Sequence, residues 1–297
     1  GIFAAIYHPV GLAMIAKGGS KMGLDIAVNG VWGNMGVGFA ALLTGIMIDH
    51  LGWRAAFWIP GVFSVLVGVA YIISYRDKMR LVIKGLNAVE KQDYKKDLLE
   101  TAKNARVLLI RISCVIFFTT AVSSIIFQGT TFALPKVFDE RLTGIASSAT
   151  MVGWLAFLVF AIASFAQIVV GKLLDKHGPK IVFLSVATIQ LVFFTLVTGT
   201  TDWVALAMSL GFMLGAFGQI PINDFMIGKL AKSEMRASVF GARYIVSFVV
   251  WATVVPMIAW VHINWGFDAL FYILAGSATA IIVAVATLPN KLPEAAS

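Results

Sequence analysis

Residues 171–180 read GKLLDKHGPK, and this short basic stretch lies between two long apolar runs. It is too highly charged to lie in hydrocarbon, so we expect it at a membrane surface, with one spanning helix entering and another leaving. Gly178 permits a sharp turn, and Pro179 suits the first position of a helix, where its missing N–H costs nothing. The stretch therefore predicts a tight connection between two membrane helices.

Composition places the whole chain in the same class. Its 297 residues are 59% hydrophobic and 13% charged, whereas soluble domains are about 45–50% apolar and about 25% charged. The net charge of +8 is concentrated in the connectors, which indicates positively charged loops of a membrane protein rather than a nucleic-acid partner. Cys114 is the single cysteine, which excludes a disulfide framework and a thiolate metal site. We predict no cofactor and no metal.

Nine apolar stretches follow one another along the chain, and all but the first are long enough to cross a bilayer. Because only helices of this kind satisfy their own backbone in hydrocarbon, we expect an all-α membrane protein. The fourth stretch contains a polar run at residues 128–131, so its helix could also end before that run. The stretches are residues 1–16, 24–48, 55–75, 108–134, 147–171, 180–199, 203–228, 238–262 and 267–288.

Positive charge is distributed unequally among the connectors. Of the 23 Lys and Arg residues, 20 lie in or beside the connectors after the first, third, fifth and seventh stretches, or in the C-terminal tail. Because Lys and Arg are enriched in cytoplasmic loops, we expect residues 171–180 and the C-terminus to be cytoplasmic. The long connector at residues 76–108 predicts either a solvated linker or an amphipathic helix on anionic lipid.

An internal repeat relates residues 52–59 (GWRAAFWI) to residues 266–273 (GFDALFYI), with an offset of 214 residues. Parallel repeats of this kind are common in membrane transporters. The offset predicts that about 100 residues, enough for three helices, precede this chain in the intact protein. We therefore expect residues 1–75 to complete a first bundle, residues 76–108 to form a cytoplasmic linker, and residues 109–290 to form a second bundle.

These features resemble a transporter of the major facilitator superfamily. The stretch at 171–180 is similar to the family's cytoplasmic signature between helices eight and nine. GWRxxF at the start of helix six and MRASxxG at the start of helix eleven are also typical of the family. The resemblance implies two pseudo-symmetric six-helix bundles, of which this chain holds helices four to twelve. Residues 6–11 (IYHPVG) are similar to fosmidomycin-resistance-type exporters.

The resemblance also implies a cytoplasmic gate. Asp175 would face the N-terminal end of a helix in the other half, where the helix dipole favours an anion, and Arg236 would complete the network. Such contacts would hold one conformation and break when the two halves move. The gate residues implied are Gly171, Asp175, Lys176, Gly178, Lys180 and Arg236.

Polar side chains inside apolar helices are the candidates for a transport pathway. His8 follows Tyr7 near the middle of helix four, which the resemblance places beside a central cavity. We expect His8 to accept a coupling proton or to bind a substrate anion, with Tyr7 extending that surface, and a structural histidine is the alternative. Asn34 in the glycine-rich helix five is a further cavity candidate, although close helix packing also explains the glycines.

Later helices add five candidates. Ser124 and Gln128 are four residues apart on helix seven and share a face. On helix ten, Gln219 and Asp224 accompany a Gly-Pro interruption, which often marks a bending or binding helix. Arg243 on helix eleven is positioned to pair with Asp224, and this pair predicts either a structural ion pair or a proton carrier.

Together these patterns predict a secondary active transporter of a small organic solute, working by alternating access, coupled to protons and similar to drug or metabolite exporters. Uptake of small organic anions and a non-transporting receptor or structural protein are the alternatives. An enzyme is disfavoured, because the chain has no HExxH or GxSxG motif and its four histidines lie far apart. We expect a monomer in a lipid bilayer, the bacterial inner membrane, with protons or another ion for coupling and no nucleic-acid partner.

Overall fold

A computed structural model describes residues 11, 12, 15, 21–86, 103–231 and 235–289. All regular secondary structure within these ranges is helical. The helices are α1 (Met22–Leu51), α2 (Ala55–Leu86), α3 (Lys103–Arg141), α4 (Ala149–His177), α5 (Pro179–Leu196), α6 (Asp202–Gly218), α7 (Ile220–Leu230) and α8 (Arg236–Ala286).

Seven segments of the described chain are helical, long and apolar enough to cross a membrane, with α6 and α7 together forming one of them. The 51 residues of α8 would extend about 76 Å as a straight helix, more than twice the thickness of a hydrocarbon core. A non-helical conformation at Gly266 divides α8 into two spans. The predicted all-α fold class is confirmed, and the chain is an integral, multi-pass membrane protein.

Several helices extend beyond the predicted apolar stretches. α3 continues through residues 128–131 to Arg141, because the Thr130 hydroxyl donates to the carbonyl of Ile126 at 2.8 Å and is satisfied within its own helix. α2 continues to Leu86 and α3 begins at Lys103, so both ends of the predicted connector are helical. Lys, Arg and Leu favour helix, which explains the extension. Residues 87–102, and the choice between linker and amphipathic helix, lie outside the described residues.

The turn between α4 and α5 has the predicted form. Gly178 has φ 79° and ψ 167°, and it ends α4 while Pro179 begins α5. The Gly178 N–H donates to the carbonyl of Leu174 at 3.1 Å. Two long helices are therefore connected through a single residue.

The internal repeat is visible in the backbone. Gly52 has φ 81° and ψ 159°, and Gly266 has φ 74° and ψ −177°. This region is open almost only to glycine. Both glycines lie at the junction of two apolar helices, α1 with α2 and the two spans of α8. The two copies of the repeat thus adopt the same conformation at equivalent places.

α1 and α4 pack antiparallel along most of their lengths. A Cβ atom added to Gly23 would lie 2.6 Å from the Gly171 carbonyl oxygen, and the converse distance is also 2.6 Å. At the opposite end, Gly45 makes a similar approach to the backbone of Ala149. Residues without side chains therefore bring the two backbones together at both ends of the pair. We refer to these as the Asp175 end, which holds Gly23, and the Asp49 end, which holds Gly45.

A row of aromatic rings connects four of the helices between α3 and α8. Phe160 stacks on Phe217 with ring centroids 5.7 Å apart, Phe217 lies 5.8 Å from Phe127, and Phe127 stacks on Trp251 at 5.8 Å. These residues belong to α4, α6, α3 and α8. Phe160 and Phe217 are fully buried. The row fixes the positions of the helices that form the wall of the site described next.

Candidate functional site

A cavity of about 600 Å³ lies between α1 on one side and α3, the α6–α7 junction and α8 on the other. We call it the central cavity. Many of its lining residues are polar although the surrounding helices are apolar. The polar and charged lining residues are Asn29, Asn34, Thr120, Ser123, Ser124, Gln219, Asn223, Asp224, Arg243, Tyr244 and Ser247.

Some polar groups of the cavity bind one another across helices. The Ser124 hydroxyl lies 3.1 Å from that of Ser247 and donates to the Thr120 carbonyl at 2.8 Å. The amide of Gln219 donates to the Ser123 carbonyl at 3.2 Å. These hydrogen bonds connect α3 to α8 and to the α6–α7 junction, so they position the cavity wall.

The break between α6 and α7 places Gln219 in the wall. α6 ends at Gly218, and α7 begins with Ile220 followed by Pro221. Because Pro221 has no N–H, it cannot continue the hydrogen-bond pattern of α6. The Gln219 N–H still bonds back to the Gly215 carbonyl at 3.0 Å. The chain turns locally at this point, and Gln219 and Ile220 line the cavity.

Asp224 and Arg243 form a buried ion pair in the cavity wall. Arg243 Nη1 lies 2.8 Å from Asp224 Oδ1, and the two side chains are 10% and 3% exposed. The guanidinium also lies over the ring of Tyr244, with its carbon 4.9 Å from the centroid. The contact suggested by the sequence is therefore present. Asp224 and Arg243 are the only charged residues among the described residues that line the cavity.

Other polar atoms of the lining are buried without a hydrogen bond from the described residues. Buried polar groups are usually satisfied, so each such atom needs an explanation. Their concentration in one cavity indicates that a ligand or water completes them. They are Asn34 Nδ2, Thr120 Oγ1, Ser123 Oγ, Gln219 Oε1, Asp224 Oδ1, Arg243 Nε and Trp251 Nε1.

Asp175 contacts the start of α1. Its two carboxylate oxygens accept the N–H groups of Gly23 and Leu24 at 2.9 and 3.1 Å. These are among the first N–H groups of α1, which have no partner within their own helix. Gly171 lies one turn earlier on α4 and makes the close backbone approach to Gly23. The arrangement expected from the family signature is thus present, and we call it the Asp175 cap.

Three further gate candidates lie near the ends of α4, α5 and α8. Lys180 donates to the carbonyl of Leu288 at 2.6 Å, which connects the start of α5 to the end of α8. Lys176 is exposed on α4, and Arg236 is half-buried at the start of α8. The roles of Lys176 and Arg236 in a gate stay predictions.

Sequence reasoning missed an equivalent contact at the opposite end. Asp49 Oδ2 accepts the Thr150 N–H at the start of α4, at 2.7 Å. We call this the Asp49 cap. A signal was available, because Asp49 lies in the last turn of α1, where the negative end of the helix disfavours a carboxylate. The two helices therefore cap each other.

The remaining candidates divide into three groups. Tyr7 and His8 lie outside the described residues. Asn34, Ser124, Gln219, Asp224 and Arg243 all line the central cavity. Gln128 is buried on α3 but is not part of the cavity lining, which differs from the shared face expected for it and Ser124. Among the described residues, no three His, Cys, Asp or Glu side chains come together as a metal site.

Fold and site define a helical, multi-pass membrane protein with a polar cavity between α1 on one side and α3, the α6–α7 junction and α8 on the other. Comparison with known proteins agrees with this class. The chain matches the family model of the Major Facilitator Superfamily over residues 1–147 and 116–297. The chain belongs to the Major Facilitator Superfamily, which points to a membrane transporter and not to an enzyme.

Individual proteins are also similar. The chain is 41% identical over 58 residues to a probable hexose phosphate transport protein of Chlamydia muridarum, and 40% identical over 58 residues to that of Chlamydia trachomatis. Each match covers 20% of this chain and only 12% of the relative's length. The fold is similar to that of a variant of the E. coli fucose:proton symporter, with a TM-score of 0.51 and 12% identity over 96% of this chain and 89% of the symporter chain.

Proposed function

We propose that the protein is a secondary active transporter that carries a small polar solute through the central cavity by alternating access. The observation that supports this most directly is the set of buried, unsatisfied polar atoms in an apolar bundle. Such groups are costly in a membrane protein and are retained where a substrate or ion passes. A binding pocket is typically apolar with a few converging polar groups, and this lining fits that description.

The two caps suggest how access alternates. The α1–α2 group contacts the α3–α8 group mainly through α1 and α4, and one cap closes each end of that contact. Breaking the Asp175 cap would open the cavity at that end, and breaking the Asp49 cap would open it at the other. From the distribution of Lys and Arg we propose that the Asp175 end is cytoplasmic and that the membrane is a bacterial inner membrane.

The cavity lining favours one of the two predicted substrate classes. A small polar solute can satisfy the unpaired donors and acceptors, whereas an amphiphilic drug would leave them buried and unpaired. The names of the similar proteins, hexose phosphate transport and fucose:proton symport, describe small polar solutes. We therefore propose uptake of a small organic solute ahead of drug or metabolite efflux, with protons as the coupling ion and His8 or Asp224 as the groups that carry them.

Flux in proteoliposomes tests this function. The full-length protein is reconstituted and a proton gradient is imposed, with a labelled hexose phosphate, labelled fucose and the amphiphilic dye ethidium as probes. We expect gradient-dependent accumulation of at least one polar probe and none in protein-free liposomes. Flux of ethidium alone would support an exporter. A folded protein that moves no probe under any gradient would support the alternative, a receptor built on the same fold.

A further inference from the structure

We infer that Arg243 is the binding site for the anionic group of a small hydroxylated solute, and that this group takes the place of Asp224 on the guanidinium. The inference rests on the proposed transport function and names the substrate class of that function. The chemical class is a carboxylate or phosphate attached to a molecule that also carries hydroxyl groups.

The guanidinium of Arg243 has capacity for a further anion. Its contact with Asp224 joins Nη1 to Oδ1 at 2.8 Å, but Oδ1 receives no hydrogen bond from the described residues because the alignment is poor. The Nε of Arg243 is buried and also receives no hydrogen-bond partner from the part of the chain that the structure describes. Arginine presents five donors in a planar fork that matches carboxylate and phosphate in a bidentate manner. Asp224 therefore uses only part of what the guanidinium offers.

Stability alone does not account for the pair. When two charges are buried, the loss of hydration free energy is often larger than the gain from their mutual attraction. A protein with apolar residues of similar volume in their place is frequently as stable. An ion pair with imperfect geometry in a cavity wall is explained if a ligand can replace one of its two members. An incoming anion would take the place of the Asp224 carboxylate on Arg243, and Asp224 would accept a proton as it is released. Neither the guanidinium nor the carboxylate would then be left as an unpaired buried charge.

The surrounding lining specifies the rest of the ligand. Four further unsatisfied groups can donate a hydrogen bond, namely the Asn34 amide, the indole of Trp251 and the hydroxyls of Thr120 and Ser123. Donors in excess require a ligand rich in acceptors, and hydroxyl groups supply acceptors while also donating to Gln219 Oε1. The lining thus surrounds the arginine with partners for hydroxyl groups.

An apolar surface completes the site. Phe127 and Trp251 stack with ring centroids 5.8 Å apart, and both line the cavity. Trp251 also carries the unsatisfied indole N–H. A ring or chain whose C–H groups lie on one face and whose hydroxyls lie at the edge would contact both parts of this surface. A sugar acid or sugar phosphate has this form.

Paired probes test the inference. Binding of gluconate is compared with that of sorbitol, and binding of glucose phosphate with that of glucose, by calorimetry on the full-length protein in nanodiscs. We expect the anionic member of at least one pair to bind about tenfold more tightly or better. In the double variant Arg243→Gln with Asp224→Asn, which keeps both shapes without charge, we expect the two members to bind equally.

A single variant separates exchange from a purely structural pair. Asp224→Asn removes the internal competitor and leaves Arg243 charged, so we expect the anionic probe to bind more tightly than in the unaltered protein. Weaker anion binding in Asp224→Asn would overturn the inference, as would an anion preference that survives in the double variant. The matched control is Arg141→Gln with Asp268→Asn, a second Arg–Asp pair at 2.7 Å that does not line the cavity, which should leave the preference unchanged.

The outcomes also separate this inference from the transport function. If sorbitol or glucose is transported and the anions bind no better, the anion site is wrong and the transport function stands. If no member of either pair binds or is transported while thermal unfolding shows a folded protein, both are overturned for these solutes. Thermal unfolding of each variant confirms that the binding result comes from folded protein.

Discussion

Asp175 and Asp49 are each the third residue from the end of a long helix. There the carboxylate faces the negative end of its own helix dipole, which is unfavourable. Each side chain instead caps the N-terminus of the neighbouring helix, a favourable contact for a carboxylate. The favourable contact exists only while the two helices are together. Both residues are therefore suited to contacts that form and break.

Replacing Asp175 tests the first of these contacts. We expect Asp175→Asn to separate α1 from α4 at the Asp175 end, because the amide loses the charge-assisted hydrogen bonds to Gly23 and Leu24. A loss of about 1 kcal/mol corresponds to a shift of about fivefold in the ratio of open to closed protein. Distances between spin labels at cysteines replacing the exposed Lys21 and Lys172, in a Cys114→Ser background, measure the shift.

Asp25→Asn is the matched control for this experiment. Asp25 is an exposed acid in the first turn of α1. Its replacement by Asn removes one negative charge near the Asp175 end, as Asp175→Asn does. Its neutralisation should leave the label distances unchanged. Equal opening in both variants would mean that surface charge, and not the Asp175 cap, holds this end together.

At the level of elements, the α1–α4 pair depends on glycine. The carbonyl of Gly23 occupies the space that a side chain at position 171 would need. We expect Gly171→Ala to push the two backbones apart and to lower the stability of the closed conformation by about 1–3 kcal/mol. The transition midpoint in thermal unfolding of the purified protein, together with the label distance at the Asp175 end, provides the measurement.

Gly276→Ala serves as the control for this substitution. Gly276 lies within α8, is exposed, and has no described atom within 4 Å of an added Cβ. Because alanine is the better helix former, this variant should be neutral or slightly more stable. A similar loss of stability in both variants would contradict the proposed close packing of α1 and α4.

The elements themselves were largely predictable. Length and hydrophobicity identify membrane helices because hydrocarbon accepts no other long backbone conformation, and Gly-Pro patterns marked the turn at Gly178 and the break before Pro221. The polar run at residues 128–131 left an earlier end of α3 open, because the sequence does not show that the Thr130 hydroxyl is satisfied inside its own helix. Local polarity does not reveal such internal compensation.

For the whole molecule, the two caps have opposite consequences. We expect Asp49→Asn to favour opening at the Asp49 end, whereas Asp175→Asn favours opening at the Asp175 end. Because each variant removes one closure and leaves the other, labels at both ends should report changes of opposite direction. The double variant should restore a ratio near that of the unaltered protein, and separation of the same end in both single variants would contradict the scheme.

At the site, the sequence indicates which residue types lie in the membrane but not every surface that they face. Asn34, Gln219, Asp224 and Arg243 were recognisable as polar groups in apolar helices, and all line the cavity. Trp251 and its unsatisfied indole N–H were not recognised, because tryptophan is common in membrane helices. The packing of α3 against α8 determines which face of α3 lines the cavity. For this reason Ser124 lines the cavity and Gln128 does not.

The midpoint contact of the α1–α4 pair has a mechanical consequence. Gly38 packs against Phe157 and Phe160. A Cβ atom added to Gly38 would lie 3.2 Å from Cδ2 of Phe157 and 3.3 Å from Cβ of Phe160. If this contact is the pivot, the arm to Gly23 is about 22 Å long and the arm to Asp49 about 16 Å, at 1.5 Å per residue. A tilt of about three degrees then moves the longer arm by about 1 Å, enough to break its hydrogen bonds. The unequal arms make the Asp175 end the more sensitive of the two.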